Sequence, residues 1–266
     1  MAYKSNAFKA GLKHGRTQIG LWLSTGEPYL ADVAGQAGFD WLVIDGEHGP
    51  NDLKSILAQL QVLESSESEA IVRLPIGEKW MIKQMLDLGA RTLLIPMVNS
   101  AEEAEELVRS VRYPPKGDRG IGAMIARASQ FGKIADYPQT AEAEICLLVQ
   151  VETARALADI ERIARVDGVD GIFIGPADLA ADMGAAVDSD VVLAAIAEAI
   201  RKVRAAGMPA GILTFNEKLN KDFIEQGATF VAVGADVMEL SKALRTLSGR
   251  YGSGLSADNR TEPVGY

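Results

Sequence analysis

The sequence contains little of what several protein classes depend on. It has one cysteine, Cys146, among 266 residues, which excludes a disulfide framework and favours a reducing cytosol. No apolar run reaches the roughly 18 to 20 residues that a membrane span needs, and residues 1–15 lack the apolar segment of a signal peptide, so we expect a cytoplasmic protein with no membrane partner. Basic residues number 27 against 36 acidic ones, and this net charge of −9 argues against nucleic acid as a partner.

Histidine is almost as rare as cysteine, since His14 and His48 are the only two. Lysine is absent from the cores and tips of all the apolar runs that predict strands. Enzymes that form a Schiff base with a keto substrate need a lysine inside the pocket, so carbanion chemistry in this protein would require a metal ion. The glycines of residues 117–122 lack the strand–turn–helix context of a phosphate-binding loop. The sequence therefore argues against Schiff-base and nucleotide-binding enzymes.

Eight short apolar runs alternate with amphipathic stretches, and a hydrophobic content of 48% is enough for a large core. Several runs are apolar without alternation, which is typical of parallel strands covered on both faces. Eight strand–helix units predict an α/β protein with a single-domain (β/α)₈ TIM barrel, and a doubly wound open sheet is the alternative. The runs are Gln18–Leu23, Trp41–Ile44, Ala70–Leu74, Thr92–Val98, Ile145–Val151, Gly171–Ile174, Pro209–Leu213 and Phe230–Val233.

Two stretches depart from this alternation of strands and helices. Residues 112–144 form a long excursion between the fourth and fifth strands, and such excursions are usually functional. We expect this one to cover the site or to contact a neighbouring subunit, unless it is a surface loop with no role in the chemistry. Residues 253–266 are polar and rich in glycine and serine, and they predict an extended or disordered tail after a barrel of residues 1–252.

Two neighbouring runs end in an acidic residue, Glu152 in one case and Asp178 in the other. The carboxyl ends of parallel strands are where α/β proteins house their chemistry. Two carboxylates there suit Mg²⁺ or Mn²⁺ with open positions for a substrate, unless each acid only caps the helix that follows it. Gln150 shares a strand face with Glu152, because side chains alternate along a strand.

Two more strand tips carry candidate catalytic groups. His48 follows the second run and is the strand-tip side chain that titrates nearest to neutrality, so it is either a general base or a polar histidine that caps the helix at residues 51–52. Arg73 lies near the end of the third run. There it either offers donors to a carboxylate or a developing enolate oxygen, or forms a structural ion pair with Asp45 or Glu47.

Four segments together resemble one family. They are residues 39–48 (FDWLVIDGEH), 112–115 (RYPP), 120–122 (GIG) and 171–179 (GIFIGPADL). From about Asn6 to Gly252 the chain resembles the class II, metal-dependent pyruvate aldolases typified by 4-hydroxy-2-oxoheptanedioate aldolase. This resemblance implies a (β/α)₈ barrel that assembles as a homo-hexamer, a trimer of dimers, whose pairs of subunits exchange their last helix.

The resemblance also implies a reaction. It is the reversible aldol cleavage of 4-hydroxy-2-keto acids to pyruvate or hydroxypyruvate and an aldehyde, through an enolate stabilised by Mg²⁺, Mn²⁺ or Co²⁺. The alternatives are a malyl-CoA-type lyase on the same barrel and a non-catalytic keto-acid-binding protein. The strand tips show no basic patch for coenzyme A, and a binding protein would not need His48.

Catalytic roles follow from the resemblance by position. It places the catalytic histidine at His48 and the aspartate that raises its basicity at Asp87. It places the transition-state arginine at Arg73, and Asp45, in the same motif as His48, is a further catalytic candidate. Periodicity alone makes Asp87 a helix residue near Gly89, with no role beyond a solvated face.

Binding roles follow in the same way. The metal ligands of the family fall on Glu152 and Asp178, the two acids that end their strands. Substrate contacts fall on Gln150, Arg73, Asp178 and the backbone of Ala177. All of these positions carry the residue type that the resemblance requires.

Overall fold

The eight apolar runs form eight parallel strands in the computed structural model of the protein, which describes residues 5–251. Each strand pairs with the next, and the eighth pairs back with the first. The predicted TIM barrel is therefore confirmed, and the open sheet is wrong. The predicted tail, residues 253–266, lies outside the described residues. The strands are β1 (Gln18–Leu23), β2 (Trp41–Asp45), β3 (Glu69–Arg73), β4 (Thr92–Ile95), β5 (Cys146–Val151), β6 (Gly171–Ile174), β7 (Ala210–Leu213) and β8 (Phe230–Ala235).

Helices surround the barrel, and among the described residues none is long and apolar enough to cross a membrane. Cys146 is buried in β5, and a cytoplasmic location stays a prediction. The helices are α1 (Ala7–Lys13), α2 (Pro28–Gly35), α3 (Leu53–Val62), α4 (Lys79–Leu88), α5 (Ala101–Val111), α6 (Tyr137–Glu144), α7 (Ala154–Ile163), α8 (Pro176–Asp182), α9 (Asp190–Ala205), α10 (Glu217–Glu225) and α11 (Asp236–Arg250).

Strand β4 ends three residues earlier than the apolar pattern predicts, at Ile95 instead of Val98. Pro96 has no N–H to donate to a neighbouring strand. Met97 then adopts a left-handed conformation with φ of 58°, which is unusual for a residue with a side chain. The chain thus leaves the strand at the carboxyl end of the barrel, where the amide of Met97 donates to Glu152.

Aromatic side chains fill the amino end of the barrel. Phe8 from α1 packs edge-on against Trp41 and Phe230, with ring centroids 5.9 and 5.8 Å away. Glycines make room for these rings: a Cβ on Gly20 would lie 2.2 Å from Trp41, and one on Gly211 would lie 2.1 Å from Phe230. This packing closes one end of the barrel and leaves its carboxyl end for polar side chains.

The excursion between β4 and β5 lies along the outer helix α4. Asp118 forms an ion pair with Lys79 in the first turn of α4, and Arg119 forms one with Asp87 in its last turn. Near the end of the excursion the chain forms α6 before entering β5. These contacts place the first part of the excursion on the helical layer.

Candidate active site

Asp45 organises the loop that follows β2. Its carboxylate is buried, and Oδ1 accepts hydrogen bonds from the backbone N–H groups of Glu47, at 3.0 Å, and His48, at 3.2 Å. The loop folds so tightly that a Cβ on Gly46 or Gly49 would lie 2.6 Å from a backbone oxygen. The backbone at His48 is thereby fixed beside the mouth of the barrel.

Arg73 meets this loop from the neighbouring strand. Asp45 and Arg73 are register partners at the ends of β2 and β3, and Nε and Nη2 of the arginine donate to both oxygens of Asp45, at 2.9 and 2.7 Å. Nη1 lies 2.8 Å from Oε2 of Glu47, and the guanidinium carbon lies 5.2 Å from the ring centroid of Trp22. The ion pairs considered from the sequence are both present. The hydrogen bonds to Asp45 use two of the five guanidinium N–H groups, so others can donate to a ligand.

His48 is the exposed member of the group, with 69% of its side chain open and Nε2 3.9 Å from Oε2 of Glu47. Helix α3 is capped instead by Asp52, which accepts from the N–H groups of Lys54 and Ser55. The interpretation of His48 as a helix cap is therefore wrong. Its imidazole faces solvent at the barrel mouth.

Glu152 is buried at the end of β5 and is held from three directions. Oε1 accepts from the backbone N–H of Met97 at 2.7 Å, and Oε2 accepts from Nε2 of Gln150 at 2.5 Å. A Cβ on Gly175 would lie 2.5 Å from Oε2, so the absence of a side chain there makes room for the carboxylate. Thr153 caps the helix that follows, and the capping alternative for Glu152 is wrong.

Burial raises the pKa of Glu152 to about 7, because a poorly solvated carboxylate resists ionisation. Its two hydrogen bonds oppose the rise, and the negative charges of Asp178 and Glu47 add to it. Burial also raises the pKa of Glu47, against the opposing charge of Arg73. Asp178 itself is exposed in the first turn of α8. The negative charge of Asp178 therefore acts on the pKa of both Glu152 and Glu47.

The donors in this region fit a divalent cation. Glu152 and Asp178 supply carboxylate oxygens, and Oε1 of Gln150 is a buried neutral oxygen with no hydrogen-bond partner among the described atoms. Within residues 5–251 no three His, Cys, Asp or Glu side chains converge closely enough to hold a metal. A cation held by two protein carboxylates keeps positions for water and substrate, which is the coordination that Mg²⁺ usually has in enzymes.

Asp87 lies apart from these residues. It is in the last turn of α4, which leads into the amino end of β4, whereas His48 follows the carboxyl end of β2. The two residues are therefore at opposite ends of the same barrel. Its partner in the described chain is Arg119, whose Nη2 donates to Oδ1 of Asp87 at 2.8 Å.

Sequence reasoning missed several contributors to the site. Glu47 was named only as a partner for Arg73, although it stands in the recognised motif beside His48. Gly175 likewise stands in a recognised motif, as the glycine before Pro176. Met97 acts through its backbone, so its residue type carried no signal.

Comparison with known proteins identifies the family of this chain. A family model described as HpcH/HpaI aldolase/citrate lyase matches residues 18–243. The chain belongs to this family. The match spans every strand and all but the ends of the described chain.

Individual relatives cover nearly the whole sequence. A hydroxypyruvate/pyruvate aldolase of Agrobacterium fabrum is 59% identical over 256 residues, which are 96% of each chain. A 4-hydroxy-2-oxo-heptane-1,7-dioate aldolase of Shigella sonnei is 50% identical over 254 residues, 95% of this chain and 97% of the other. A crystal structure of an HpcH/HpaI aldolase/citrate lyase family protein from Burkholderia cenocepacia has a TM-score of 0.89 at 38% identity and covers 93% of this chain and 99% of the other. The HpcH/HpaI chain described here is thus an aldolase, a carbon–carbon lyase.

Proposed function

We propose that this aldolase cleaves 4-hydroxy-2-keto acids reversibly to hydroxypyruvate or pyruvate and an aldehyde, with a divalent metal ion as cofactor. The observation that carries the proposal is the meeting of three groups at the carboxyl end of the barrel. They are the fixed guanidinium of Arg73, the exposed imidazole of His48 and the buried carboxylate of Glu152. The names of the relatives support the choice of keto acid.

Glu152 and Asp178 would hold the cation, which is Mg²⁺, Mn²⁺ or Co²⁺. The raised pKa of Glu152 supports this assignment, because a buried carboxylate near other acids is stabilised strongly by an adjacent cation. When bound, the ion supplies Lewis-acid stabilisation of the negative charge on the enolate. The hydrogen bonds from Met97 and Gln150 orient the carboxylate before any ion arrives.

The keto acid would lie between Glu152 and the N-terminus of α8, whose first turn contains Asp178. Helix N–H groups in the first turn have no intrahelical acceptor, so the backbone of Ala177 can bind the substrate carboxylate. Gln150 would contact the substrate from inside the barrel, next to Glu152, to which it donates a hydrogen bond. Trp22, Leu213 and Phe215 belong to an apolar cluster inside the barrel, where they can contact the less polar part of the substrate.

Arg73 would stabilise the developing negative charge, and His48 would transfer the proton. N–H groups of Arg73 that do not bond to Asp45 donate to the oxygen that becomes negative as the C3–C4 bond breaks. Asp45 and Glu47 hold the guanidinium in position beforehand, so little reorganisation is needed at that moment. His48 accepts the proton of the C4 hydroxyl during cleavage, and C3 of the enolate then takes up a proton from water to give the keto acid. During addition both proton transfers run in reverse.

We further propose a homo-hexamer, a trimer of dimers that exchange α11. No residue of α11 is buried in the single chain, and its exposed apolar residues recur at helical spacing and form one unpartnered stripe. The stripe is Val237, Leu240, Leu244 and Leu247. The resemblance assigns Asp87 the role of raising the basicity of the catalytic histidine. Since Asp87 lies at the opposite end of the barrel from the His48 of its own chain, we propose that it acts on His48 of the partner subunit.

The reaction is tested by incubating the protein with pyruvate or hydroxypyruvate and a panel of aldehydes, with the products identified by mass spectrometry. Products with a new C3–C4 bond, lost on chelation with EDTA and restored by Mg²⁺, Mn²⁺ or Co²⁺, are expected. Full activity after chelation would contradict the metal assignment. Turnover of acyl-CoA substrates alone, or keto-acid binding without turnover, would contradict the proposed reaction.

A further inference from the structure

The excursion contains a buried cation that the proposed chemistry does not use. The side chain of Arg119 is fully buried. Its guanidinium carbon lies 4.4 Å from the ring centroid of Tyr113 and 5.8 Å from that of Tyr137. Moving a charge out of water is costly unless it is paired, so a guanidinium in this position requires a fixed acceptor.

That acceptor is Asp87. Nη2 of Arg119 donates to its Oδ1 at 2.8 Å. Burial by itself lowers the pKa of Arg119, but Tyr137, Tyr113 and Asp87 together raise it above its usual value, so the guanidinium keeps its charge. The aspartate needs this partner too, since the dipole of α4 disfavours a negative charge in the last turn of the helix.

Further contacts hold the excursion against the same face of α4. Lys79, Lys83 and Asp87 follow one another at intervals of four residues and therefore lie on one side of the helix. Lys79 pairs with Asp118, and a Cβ on Gly120 would lie 3.2 Å from the side chain of Lys83. The backbone on both sides of Arg119 is thus fixed along the helix that carries Asp87.

The second oxygen of Asp87 is left for another partner. Oδ2 lies 3.5 Å from the position of a Cβ on Gly122, and 27% of the side chain is exposed. The neighbouring Ile121, Met124 and Ile125 are between 71% and 84% exposed. Several large apolar side chains exposed on one short segment are typical of a surface that another protein covers.

We propose that Arg119 is a positioning residue that fixes Oδ1 of Asp87 and directs Oδ2 toward the partner subunit's His48. The rings of Tyr113 and Tyr137 hold the guanidinium in place. The inference rests on the proposed function, in which Asp87 raises the basicity of that histidine. It assigns the excursion a role at the candidate active site, through one arginine.

Other charged groups act on the same two residues and stay unchanged when Arg119 is varied. Close to His48 are Asp45, Glu47 and, through Glu47, Arg73. Close to Asp87 are Lys83 one helical turn away, Tyr113, Arg119, and Arg127, which donates to the carbonyl of the adjacent Leu88. Arg119→Lys keeps the local charge and removes the planar fork and its stacking on the rings. If Arg119 acted only through its charge, this variant would therefore have the same pH midpoint for His48 as the wild type.

The presence of only two histidines allows a test that does not depend on turnover. Diethyl pyrocarbonate reacts with neutral imidazole, and peptide mass spectrometry separates His48 from His14, which serves as the internal reference. Modification rates are measured against pH, with Mg²⁺ present, in the wild type, Asp87→Asn, Arg119→Lys and the double variant. Arg127→Lys is the matched control, because Arg127 also lies on the excursion and donates to the end of α4 without contacting Asp87.

We expect the pH midpoint of His48 modification to fall by about one unit in Asp87→Asn. It should fall equally in Arg119→Lys, fall no further in the double variant, and match the wild type in Arg127→Lys. A wild-type midpoint in Arg119→Lys alone would overturn the positioning role of Arg119 and leave the effect of Asp87 on His48 uncontradicted. Wild-type midpoints in both single variants would overturn the positioning role of Arg119 and the effect of Asp87 on His48.

Solution mass and thermal unfolding establish that each variant is folded and assembled. If Arg119→Lys is not, Tyr113→Leu is judged by the same criteria, because it removes one ring and keeps both charges. The pH profile of kcat/KM should shift in the same direction as the histidine midpoint. Absence of aldol products from the wild type would contradict the proposed function and leave the midpoint comparison valid.

Discussion

Arg73 and Asp45 form two parallel hydrogen bonds, from Nε to Oδ1 at 2.9 Å and from Nη2 to Oδ2 at 2.7 Å. The pair is buried beneath the barrel mouth, between Trp22 and Glu47. Bidentate geometry of this kind sets the plane of the guanidinium as well as its position. The remaining donors of Arg73 therefore point in a direction that the protein determines before substrate binds.

Arg73→Lys tests whether that direction matters. Lysine keeps the charge and loses the planar fork, so we expect kcat/KM for aldol cleavage to fall about 100-fold, or ~3 kcal/mol, as for the loss of an oxyanion donor. Arg91→Lys is the matched control, since Arg91 forms a comparable pair with Glu69 at the other end of the barrel. It should affect stability more than rate. A wild-type rate in Arg73→Lys would remove the arginine from its proposed role.

His48→Ala should separate catalysis from binding. Loss of a general base lowers kcat by roughly 10² to 10⁴, whereas the keto acid is held by other groups and its dissociation constant should change little. Steady-state kinetics and pyruvate titration calorimetry measure the two quantities. His14→Ala, at an exposed site in contact with the carbonyl of Ala10, should leave both unchanged. Equal losses in rate and affinity for His48→Ala would contradict its role as base.

The pKa of Glu152 predicts how the stability of the metal-free protein depends on pH. The value of about 7 in the folded protein exceeds the ordinary 4.5, so between these two values the folded chain binds an extra proton. Stability in EDTA should therefore decline as the pH rises from about 4.5 to about 7, by up to about 3 kcal/mol per subunit. Thermal unfolding at several pH values measures this decline.

Two comparisons make that prediction specific. Glu152→Gln cannot ionise, so it should lose this part of the pH dependence. Manganese affinity of the wild type should weaken as the pH falls below about 7, because the bound ion must displace the proton. Identical pH dependence of unfolding in the wild type and Glu152→Gln would show that this carboxyl does not cause the effect.

Gly175→Ala should damage the metal site without touching a charged residue. The new Cβ would lie 2.5 Å from Oε2 of Glu152 and 2.9 Å from its Cβ, so the carboxylate must move. We expect manganese affinity, measured by electron paramagnetic resonance, to fall at least about tenfold, as for lost support of a ligand. Gly234→Ala is the control, because its nearest neighbour would be at an ordinary 3.5 Å. Unchanged affinity in Gly175→Ala would mean that Glu152 does not hold the ion.

Leu244→Glu tests the exchanged helix. The residue lies mid-way along α11 and is 55% exposed in the single chain, so a charge there has little cost unless another subunit covers it. We expect light scattering to show a smaller assembly than the wild-type hexamer. Thr246→Glu is the control, because Thr246 is an exposed polar residue on the other side of the same helix. A wild-type mass for Leu244→Glu would contradict the exchange.

Local patterns in the sequence predicted the strands and several of the site residues. The apolar runs predicted eight strands within a few residues, and only β4 was clearly too long, because its apolar run continues through Pro96 and Met97. Strand ends also directed attention to Glu152 and Gln150, which the structure shows in direct contact. Asp87 came only from the resemblance, because its helical position looked like an ordinary solvated face.

The sequence by itself determined the barrel and the residue types at its strand tips, because strand periodicity and residue type are local properties. Only the tertiary structure decided that Arg73 pairs with both Asp45 and Glu47, and that Asp87 lies at the far end of the barrel beside Arg119. These contacts join residues 26 to 32 positions apart in the chain. They depend on strand register and on the path of the excursion, which no local pattern encodes.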